Sequence, residues 1–141
     1  MIILDTNVIS ELQKPAPNDN VISWLDAQEP TNLYLTAVTA AELTFGVENL
    51  PDGQRATRLK AAIAQILDVE FRGRILAFDT KAARIYGQRM AECRRAGLGV
   101  GVSDGQIGAI ALANNSPQIA SRDTAPFQAF RLDTINPFEV C

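Results

Sequence analysis

The chain has 141 residues, of which 47% are hydrophobic and 21% charged, and its formal net charge is −3. This length is typical of one domain, and we expect a single domain over residues 1–141. Because the chain contains no histidine, Ser–His–Asp and Cys–His catalytic groups and all histidine-containing zinc sites are excluded. Any catalysis must therefore use carboxylates, hydroxyls, Lys or Arg side chains, or a metal that prefers oxygen ligands.

The first residues do not look like a secretory signal, because residues 1–5 have neither a basic region nor a long apolar run. No segment reaches the roughly 18–20 apolar residues of a membrane span. We therefore expect a cytoplasmic protein without membrane contact. In that compartment Cys93 and Cys141 should remain unbridged thiols.

Short apolar runs alternate with longer helical patterns, which is typical of an α/β fold. The first half of the chain is predicted to contain two strands and four helices. In chain order they are a strand at 2–4, helices at 6–12 and 20–28, a strand at 33–35, and helices at 39–49 and 54–71.

The second half continues the alternation and brings the predicted sheet to about five strands, most of them parallel. A strand at 75–78 leads to Asp79, which is predicted to cap a long helix. The remaining elements are a glycine-rich loop at 97–101, a helix capped by Ser103 that ends at 114–115, and strands at 118–120 and 132–135.

Four acidic residues lie where predicted strands end or predicted helices begin. Asp5 directly follows the first strand, and Asp123 follows the fourth after two intervening residues. Glu42 and Asp104 each lie near the start of a helix. Since ligands usually bind at the carboxyl ends of parallel strands, we expect the four carboxylates to meet at one edge of the sheet.

Each of these acids also has a purely structural interpretation. Asp5 could cap the first helix, and Thr39 with Glu42 reads as a capping box. Asp104 could stabilise the dipole of its helix, and Asp123 could cap a short turn. These interpretations are compatible with function, because a cap position holds a carboxylate rigidly.

Glu11 is a further acid that could join the cluster, because it lies one to two helical turns beyond Asp5. Two carboxylates about 5 Å apart repel by about 3 kcal/mol at an effective dielectric near 20. A hard divalent cation is the usual partner that offsets such repulsion. Bound there, it can activate water and neutralise charge on a phosphodiester without any histidine.

Four segments, each containing one of the four acids, follow one another along the chain. They read MIILDTNVISEL at 1–12, TAAELTFGV at 39–47, VSDGQI at 102–107 and ASRDTAPF at 120–127. In this order, and with the closing INPF at 135–138, they resemble PIN-domain toxins of the VapC type, most closely the FitB-like branch. The resemblance spans nearly the whole chain.

The resemblance implies a PIN-like three-layer sandwich and a divalent-metal-dependent endoribonuclease, the toxin of a type II toxin–antitoxin pair. The metal, Mg²⁺ or Mn²⁺, would be bound by the catalytic acids Asp5, Glu42, Asp104 and Asp123. Hydrogen bonds around that site would come from Thr6, Asn7 and Ser121. The implied partners are RNA, a second copy of the chain, and a small VapB- or FitA-like antitoxin that also binds operator DNA.

Basic residues are concentrated in the middle of the chain and could hold the RNA. Residues 55–95 contain ten basic and four acidic residues, a net charge of +6. The candidate contacts are Arg84, Arg94 and Arg95, of which the last two close a predicted helix before the glycine-rich loop. On charge alone, solvated helix faces explain the same residues better than an RNA surface does.

Gly105 and Gly108 depart from the family pattern, which usually has small Ala-like residues at these helical positions. Each mid-helix glycine costs roughly 0.5–1 kcal/mol relative to alanine. Close helix packing would account for them, and a loosened Asp104 is the alternative.

A second class of function is compatible with the same fold. In it the chain is a catalytically degenerate, antitoxin-binding or regulatory subunit. The four filled acidic positions favour the enzyme, because a degenerate copy is expected to lose at least one. A structure-specific DNA nuclease would use the same chemistry but usually carries additional clamp elements.

Overall fold

The computed structural model describes residues 1–115 and 117–139, and within them five short strands form one sheet. The strand order is β3-β2-β1-β4-β5, and every neighbouring pair is parallel. The strands are β1 (Ile2–Leu4), β2 (Leu33–Thr36), β3 (Ile75–Leu76), β4 (Gln118–Ala120) and β5 (Thr134–Ile135). The expectation of a mostly parallel sheet of about five strands is confirmed.

Helices cover both faces of this sheet. They are α1 (Thr6–Leu12), α2 (Asp19–Asp26), α3 (Ala37–Glu48), α4 (Gln54–Gln65), α5 (Thr80–Arg95), α6 (Val102–Ala113) and α7 (Ala125–Ala129). Successive residues of β1 point to opposite faces. Ile2 and Leu4 therefore join the core that α1–α4 cover, and Ile3 joins the core beneath α5–α7. The fold is the expected three-layer α/β sandwich.

Several predicted boundaries were wrong by a few residues. The strands expected at 75–78 and 132–135 each shorten to two paired residues. The helix expected at 54–71 changes from α-helical to π-helical pairing at Ile66–Glu70. The helix α7 and a 3-10 turn at Pro30–Asn32 were not predicted. These are short elements that depend on packing more than on local sequence pattern.

Two predicted helix caps were also wrong. The Thr36 hydroxyl, not that of Thr39, caps α3, and it accepts a 3.1 Å hydrogen bond from the Thr39 N–H. Gly101 occupies the N-cap position before α6 and provides no side-chain cap, so Ser103 lies inside the helix. The caps predicted for Asp5 and Asp79 are confirmed by hydrogen bonds from Thr6 N and Ala82 N.

Close packing explains the two helical glycines of α6. A Cβ at Gly105 would lie 2.7 Å from Met90 Sδ, and one at Gly108 would lie 2.7 Å from Phe130 Cδ2. Phe130 is fully buried, so its ring has no free space into which to move. The two glycines therefore let α6 approach its neighbours, as the close-packing interpretation predicts.

Within the described residues, no helix is both long enough and apolar enough to cross a membrane. Cys93 is buried in the core beneath α5–α7, where its thiol is 3.7 Å from the carbonyl oxygen of Ala129. Cys141 lies outside the described residues, so the expectation of two unbridged thiols remains a prediction.

Candidate active site

Asp5 is the central carboxylate at the carboxyl edge of the sheet. It leaves β1 and caps α1, with the Thr6 N–H donating a 2.8 Å hydrogen bond to Oδ1. The Ser121 hydroxyl, at the end of the neighbouring β4, donates a 2.7 Å bond to Oδ2. Only 6% of Asp5 is exposed. The parallel pairing of β1 with β4 therefore brings a buried acid and a hydroxyl together.

Asn7 connects the same two strand ends. Its Nδ2 lies 3.4 Å from Asp5 Oδ2 and 3.1 Å from Ser121 Oγ. Its Oδ1 accepts a 3.2 Å hydrogen bond from the Arg122 N–H. Asn7 and Ser121 thus hold Asp5 in one orientation, whereas their role around a metal ion stays a prediction.

Glu42 joins the cluster through hydroxyl groups. The Thr6 hydroxyl donates a 2.8 Å hydrogen bond to Glu42 Oε1. It also lies 3.0 Å from Thr39 Oγ1, which in turn lies 3.4 Å from Thr36 Oγ1. Thr36 and Thr39 are fully buried, so hydroxyl contacts that are partly inside the core connect the start of α3 to the start of α1.

The electrostatics show that the acids sense one another. The pKa of Asp5 is raised from 3.8 to about 6, chiefly by burial and to a smaller extent by the charges of Asp104 and Glu42, against hydrogen bonds from Ser121 and Thr6 that lower it. Burial also raises the pKa of Asp104, with contributions from the charges of Asp123 and Glu42. Each of the four acids therefore interacts electrostatically with at least one of the others, and their roles in a metal site remain predictions.

The donor set suits a hard divalent cation, because it offers carboxylate and hydroxyl oxygens and two acids with raised pKa values. Across residues 1–115 and 117–139, however, no three acidic or cysteine side chains converge closely enough to enclose an ion. The arrangement is an open site. Mg²⁺ suits such a site, since it usually keeps several waters and takes only one or two carboxylates.

Comparison with protein families identifies the fold. The model of the PIN domain matches residues 2–131. The chain belongs to the PIN-domain family. The protein is 45% identical over 139 residues to the VapC ribonuclease Y4jK of Sinorhizobium fredii, covering 99% of each chain. It is 41% identical over 138 residues to Toxin FitB of Neisseria gonorrhoeae, covering 98% of this chain and 99% of that one.

A solved PIN-domain structure matches the whole architecture. FitAB bound to the IR36 DNA fragment superimposes with a TM-score of 0.93 at 39% identity, covering 99% of this chain and 97% of that chain. The predicted resemblance to PIN-domain toxins of the VapC type and FitB-like branch is confirmed. The roles assigned to individual site residues from the four segments remain predictions.

Glu11 does not point into this PIN site. Its carboxylate forms an ion pair of 2.8 Å with Lys14 and accepts a 2.9 Å hydrogen bond from the Asn18 N–H. A third contact, of 3.6 Å, reaches Arg122. The hydrogen bond from Lys14, followed by that from Asn18, lowers the pKa of Glu11. The suggestion that Glu11 joins the acidic cluster is therefore not supported by its contacts.

Part of the basic span at residues 55–95 stabilises the fold rather than remaining free for RNA. Arg74 packs over the Phe71 ring at 5.0 Å and donates a 3.0 Å hydrogen bond to the carbonyl oxygen of Leu33. By contrast, the candidate RNA contacts on α5 are exposed: Arg84, Arg94 and Arg95. Among the described residues, none of the three forms an ion pair with an acid. Arg94 also lines a groove of about 580 Å³ beside the glycine-rich loop.

The sequence did not single out Thr36 and Thr39 as parts of the site. The available signal was the Thr36-x-x-Thr39 spacing directly after a buried strand, which places one hydroxyl at the helix cap and the other in its first turn. The prediction that Thr39 caps α3 used its hydroxyl locally, so it did not foresee the long-range contact of that hydroxyl with Thr6.

Proposed function

We propose that this protein is a divalent-metal-dependent endoribonuclease and the toxin of a type II toxin–antitoxin pair. The observation that carries the proposal is the acidic cluster at the carboxyl edge of the sheet. Its central member, Asp5, has a pKa raised to about 6 by burial and by neighbouring carboxylates. Relatives of full length and more than 40% identity are named VapC ribonuclease and Toxin FitB.

Asp5, Glu42, Asp104 and Asp123 would hold Mg²⁺ or Mn²⁺ in this site, one or two of them directly and the others through waters on the cation. When bound, the cation would activate water and neutralise charge on the phosphodiester. Asp5 is held by Ser121, Asn7 and the Thr6 N–H, so its oxygens are oriented before any ligand arrives. Such prior orientation favours catalysis, because little reorganisation remains for the reaction itself.

The substrate and partners follow from the resemblance. We infer that RNA is cut in the cytoplasm and that a small FitA-like antitoxin binds the protein and operator DNA. This agrees with the FitAB structure, which contains DNA and superimposes on this chain with a TM-score of 0.93. The alternative is a catalytically degenerate subunit that retains only the antitoxin-binding role.

A second copy of the chain is the proposed occupant of an apolar groove beside Glu42. The groove has a volume of about 510 Å³. Phe45 lines it and is 69% exposed, and Val102 on the neighbouring α6 is 62% exposed. Apolar side chains exposed next to an apolar groove often mark a protein interface. Light scattering should report a dimer, and Phe45→Glu should shift it toward monomer.

Sequencing of RNA ends from cells that express the protein tests the central proposal. New 5′ ends at defined positions should accumulate in cells with the wild-type protein and be absent with Asp5→Asn. If both proteins leave the RNA-end profile unchanged but still bind an antitoxin, the degenerate-subunit function replaces the enzyme.

A further inference from the structure

Glu11 is a buried acid that the proposed chemistry does not use. Among the described residues, Glu11 and Asp5 are the two buried carboxylic acids, and Glu11 is only 5% exposed. It lies in the last turn of α1, where the helix dipole disfavours negative charge. Burial of a charge at such a place is costly unless partners compensate it.

The partners of Glu11 come from three separate parts of the chain. Lys14 lies just beyond α1, and the Asn18 N–H lies at the start of α2. Arg122 reaches Glu11 from the segment 121–123, which follows β4 and contains two residues of the acidic site. Of the three contacts, only the last connects Glu11 to that site.

Arg122 is held on its other sides as well. Its guanidinium lies 4.0 Å from the centre of the Phe138 ring. Its N–H donates to Asn7 Oδ1, and its carbonyl oxygen accepts a 3.3 Å hydrogen bond from Asn136 Nδ2. Since Arg122 lies between Ser121 and Asp123 in the chain, fixing Arg122 also fixes these two neighbours.

We propose that Glu11 is a positioning residue which, through Arg122, holds the segment 121–123 against Asp5. In this arrangement Ser121 keeps its 2.7 Å hydrogen bond to Asp5, and Asp123 stays close enough for its charge to act on Asp104. The catalytic consequence rests on the proposed nuclease function. The structural consequence, an ordered segment 121–123, does not depend on it.

A different role for Arg122 predicts different kinetics. Its side chain is 55% exposed, so it has the room to bind an RNA phosphate directly. A phosphate contact that is equally strong in ground and transition states would affect KM and leave kcat unchanged. A positioning role would lower kcat instead, and Glu11 variants would share the defect.

The test uses Glu11→Gln, Arg122→Ala, the double variant, and Lys14→Ala as a matched control. Glutamine keeps an acceptor for the Asn18 N–H but loses the charge that pairs with Arg122. Lys14→Ala removes the other cation bound to Glu11 without touching the segment 121–123. RNA cleavage gives kcat and KM, and amide hydrogen exchange follows the N–H groups of Arg122 and Asp123.

We expect Glu11→Gln and Arg122→Ala each to lower kcat about tenfold at similar KM, with the double variant no worse than either, because they act on one unit. Exchange at Arg122 N and Asp123 N, which donate to Asn7 and Ser121, should accelerate while the β1 and β4 amides do not. Lys14→Ala should keep the wild-type kcat and the wild-type exchange at Arg122 N and Asp123 N, and should lower only the overall stability, because buried Glu11 loses one partner.

Unchanged kcat and unchanged exchange in Glu11→Gln would overturn the proposal. So would faster exchange without loss of kcat, or an effect confined to the KM of Arg122→Ala. If Glu11→Gln loosens the whole fold, the surface variant Arg122→Ala decides by the same two criteria. If the wild-type protein cleaves no RNA, the proposed function fails, whereas the exchange data still confirm or refute the positioning role.

Discussion

The Ser121 hydroxyl donates a 2.7 Å hydrogen bond to Asp5 Oδ2, although 116 positions separate the two residues in the chain. The bond exists because β1 and β4 are neighbouring parallel strands, with Leu4 paired to Ala120. Asp5 directly follows β1, and Ser121 directly follows β4. The same register brings Asp123 to the edge of the sheet where Asp5, Glu42 and Asp104 lie, so the acidic site depends directly on the order of the strands.

Replacing Asp5 or Asp104 by asparagine should abolish RNA cleavage, with a loss of at least about a hundredfold, while the fold remains intact. Each change removes a proposed metal ligand and also relieves repulsion among the carboxylates. Asp79→Asn is the matched control, because Asp79 only caps α5 and asparagine caps equally well. Cleavage assays with Mg²⁺ or Mn²⁺, together with circular dichroism, give the answer. Wild-type rates in either site variant would refute the metal-site assignment.

Divalent metal should stabilise the protein, because it binds the folded acidic cluster and not the unfolded chain. At a free metal concentration of about 100 times Kd the expected gain is about 2.7 kcal/mol. Thermal unfolding in excess Mg²⁺ or Mn²⁺ should therefore occur several degrees above unfolding in chelator, and Asp104→Asn should narrow the gap. Equal melting temperatures at millimolar metal would count against a preformed acidic site.

Without divalent metal, stability should fall as pH rises from about 4 to about 6, between the unfolded and folded pKa values of Asp5, and level off by about pH 7. The folded-state pKa of Asp5 is about 6 against 3.8 for an exposed acid, so between these values the folded protein binds the extra proton. Deprotonation then costs about 3 kcal/mol of unfolding free energy, complete above pH 6. The raised pKa of Asp104 acts in the same direction.

The check is denaturant unfolding in chelator across this pH range for the wild type and for Asp5→Asn. The stability of the variant relative to the wild type should increase with pH and then level off. Glu11, whose pKa is lowered, gives the opposite trend at lower pH and cancels in the comparison. A pH-independent difference between the two proteins would show that Asp5 titrates normally.

Gly108→Ala should destabilise the protein by about 1–3 kcal/mol, despite the better helix propensity of alanine. The new Cβ would lie 2.7 Å from the buried Phe130 ring. Gly87→Ala is the control, because Gly87 lies inside α5 and a Cβ there would meet no atom within 4 Å. That change should stabilise by about 0.5–1 kcal/mol. Chemical denaturation measures both, and equal effects would remove the close-packing explanation.

Arg94→Ala with Arg95→Ala should weaken RNA binding and flatten its salt dependence by about 0.7 in log–log slope for each phosphate that is no longer neutralised. The cleavage position should not change, because phosphate contacts position RNA without reading its sequence. The measurement is binding of a short RNA to the Asp5→Asn protein across a salt series, with and without the two arginine changes. A second pair, Arg55→Ala with Arg58→Ala, removes the same charge from a cavity of about 500 Å³ that Lys14 also lines. If only this second pair changes the slope, RNA binds between α1 and α4.

The sequence by itself was sufficient to predict the alternation of strands and helices, because hydrophobic period, prolines and caps are local signals. It also placed Asp5, Glu42, Asp104 and Asp123 at strand ends and helix starts, and the electrostatics of the structure link all four. The caps of Asp5 and Asp79 were predicted for the same reason, since a cap involves residues at most three positions apart.

Only the tertiary structure decided how the hydroxyls and the second buried acid are used. Thr39 looked like a local cap, but its hydroxyl lies against Thr6, 33 positions away. Glu11 looked like a possible member of the acidic cluster, but its carboxylate pairs with Lys14 and Arg122 instead. A hydrogen bond or ion pair holds only within about 3–4 Å. Distances of that size between remote residues follow from strand order and helix packing, on which local sequence patterns carry no information.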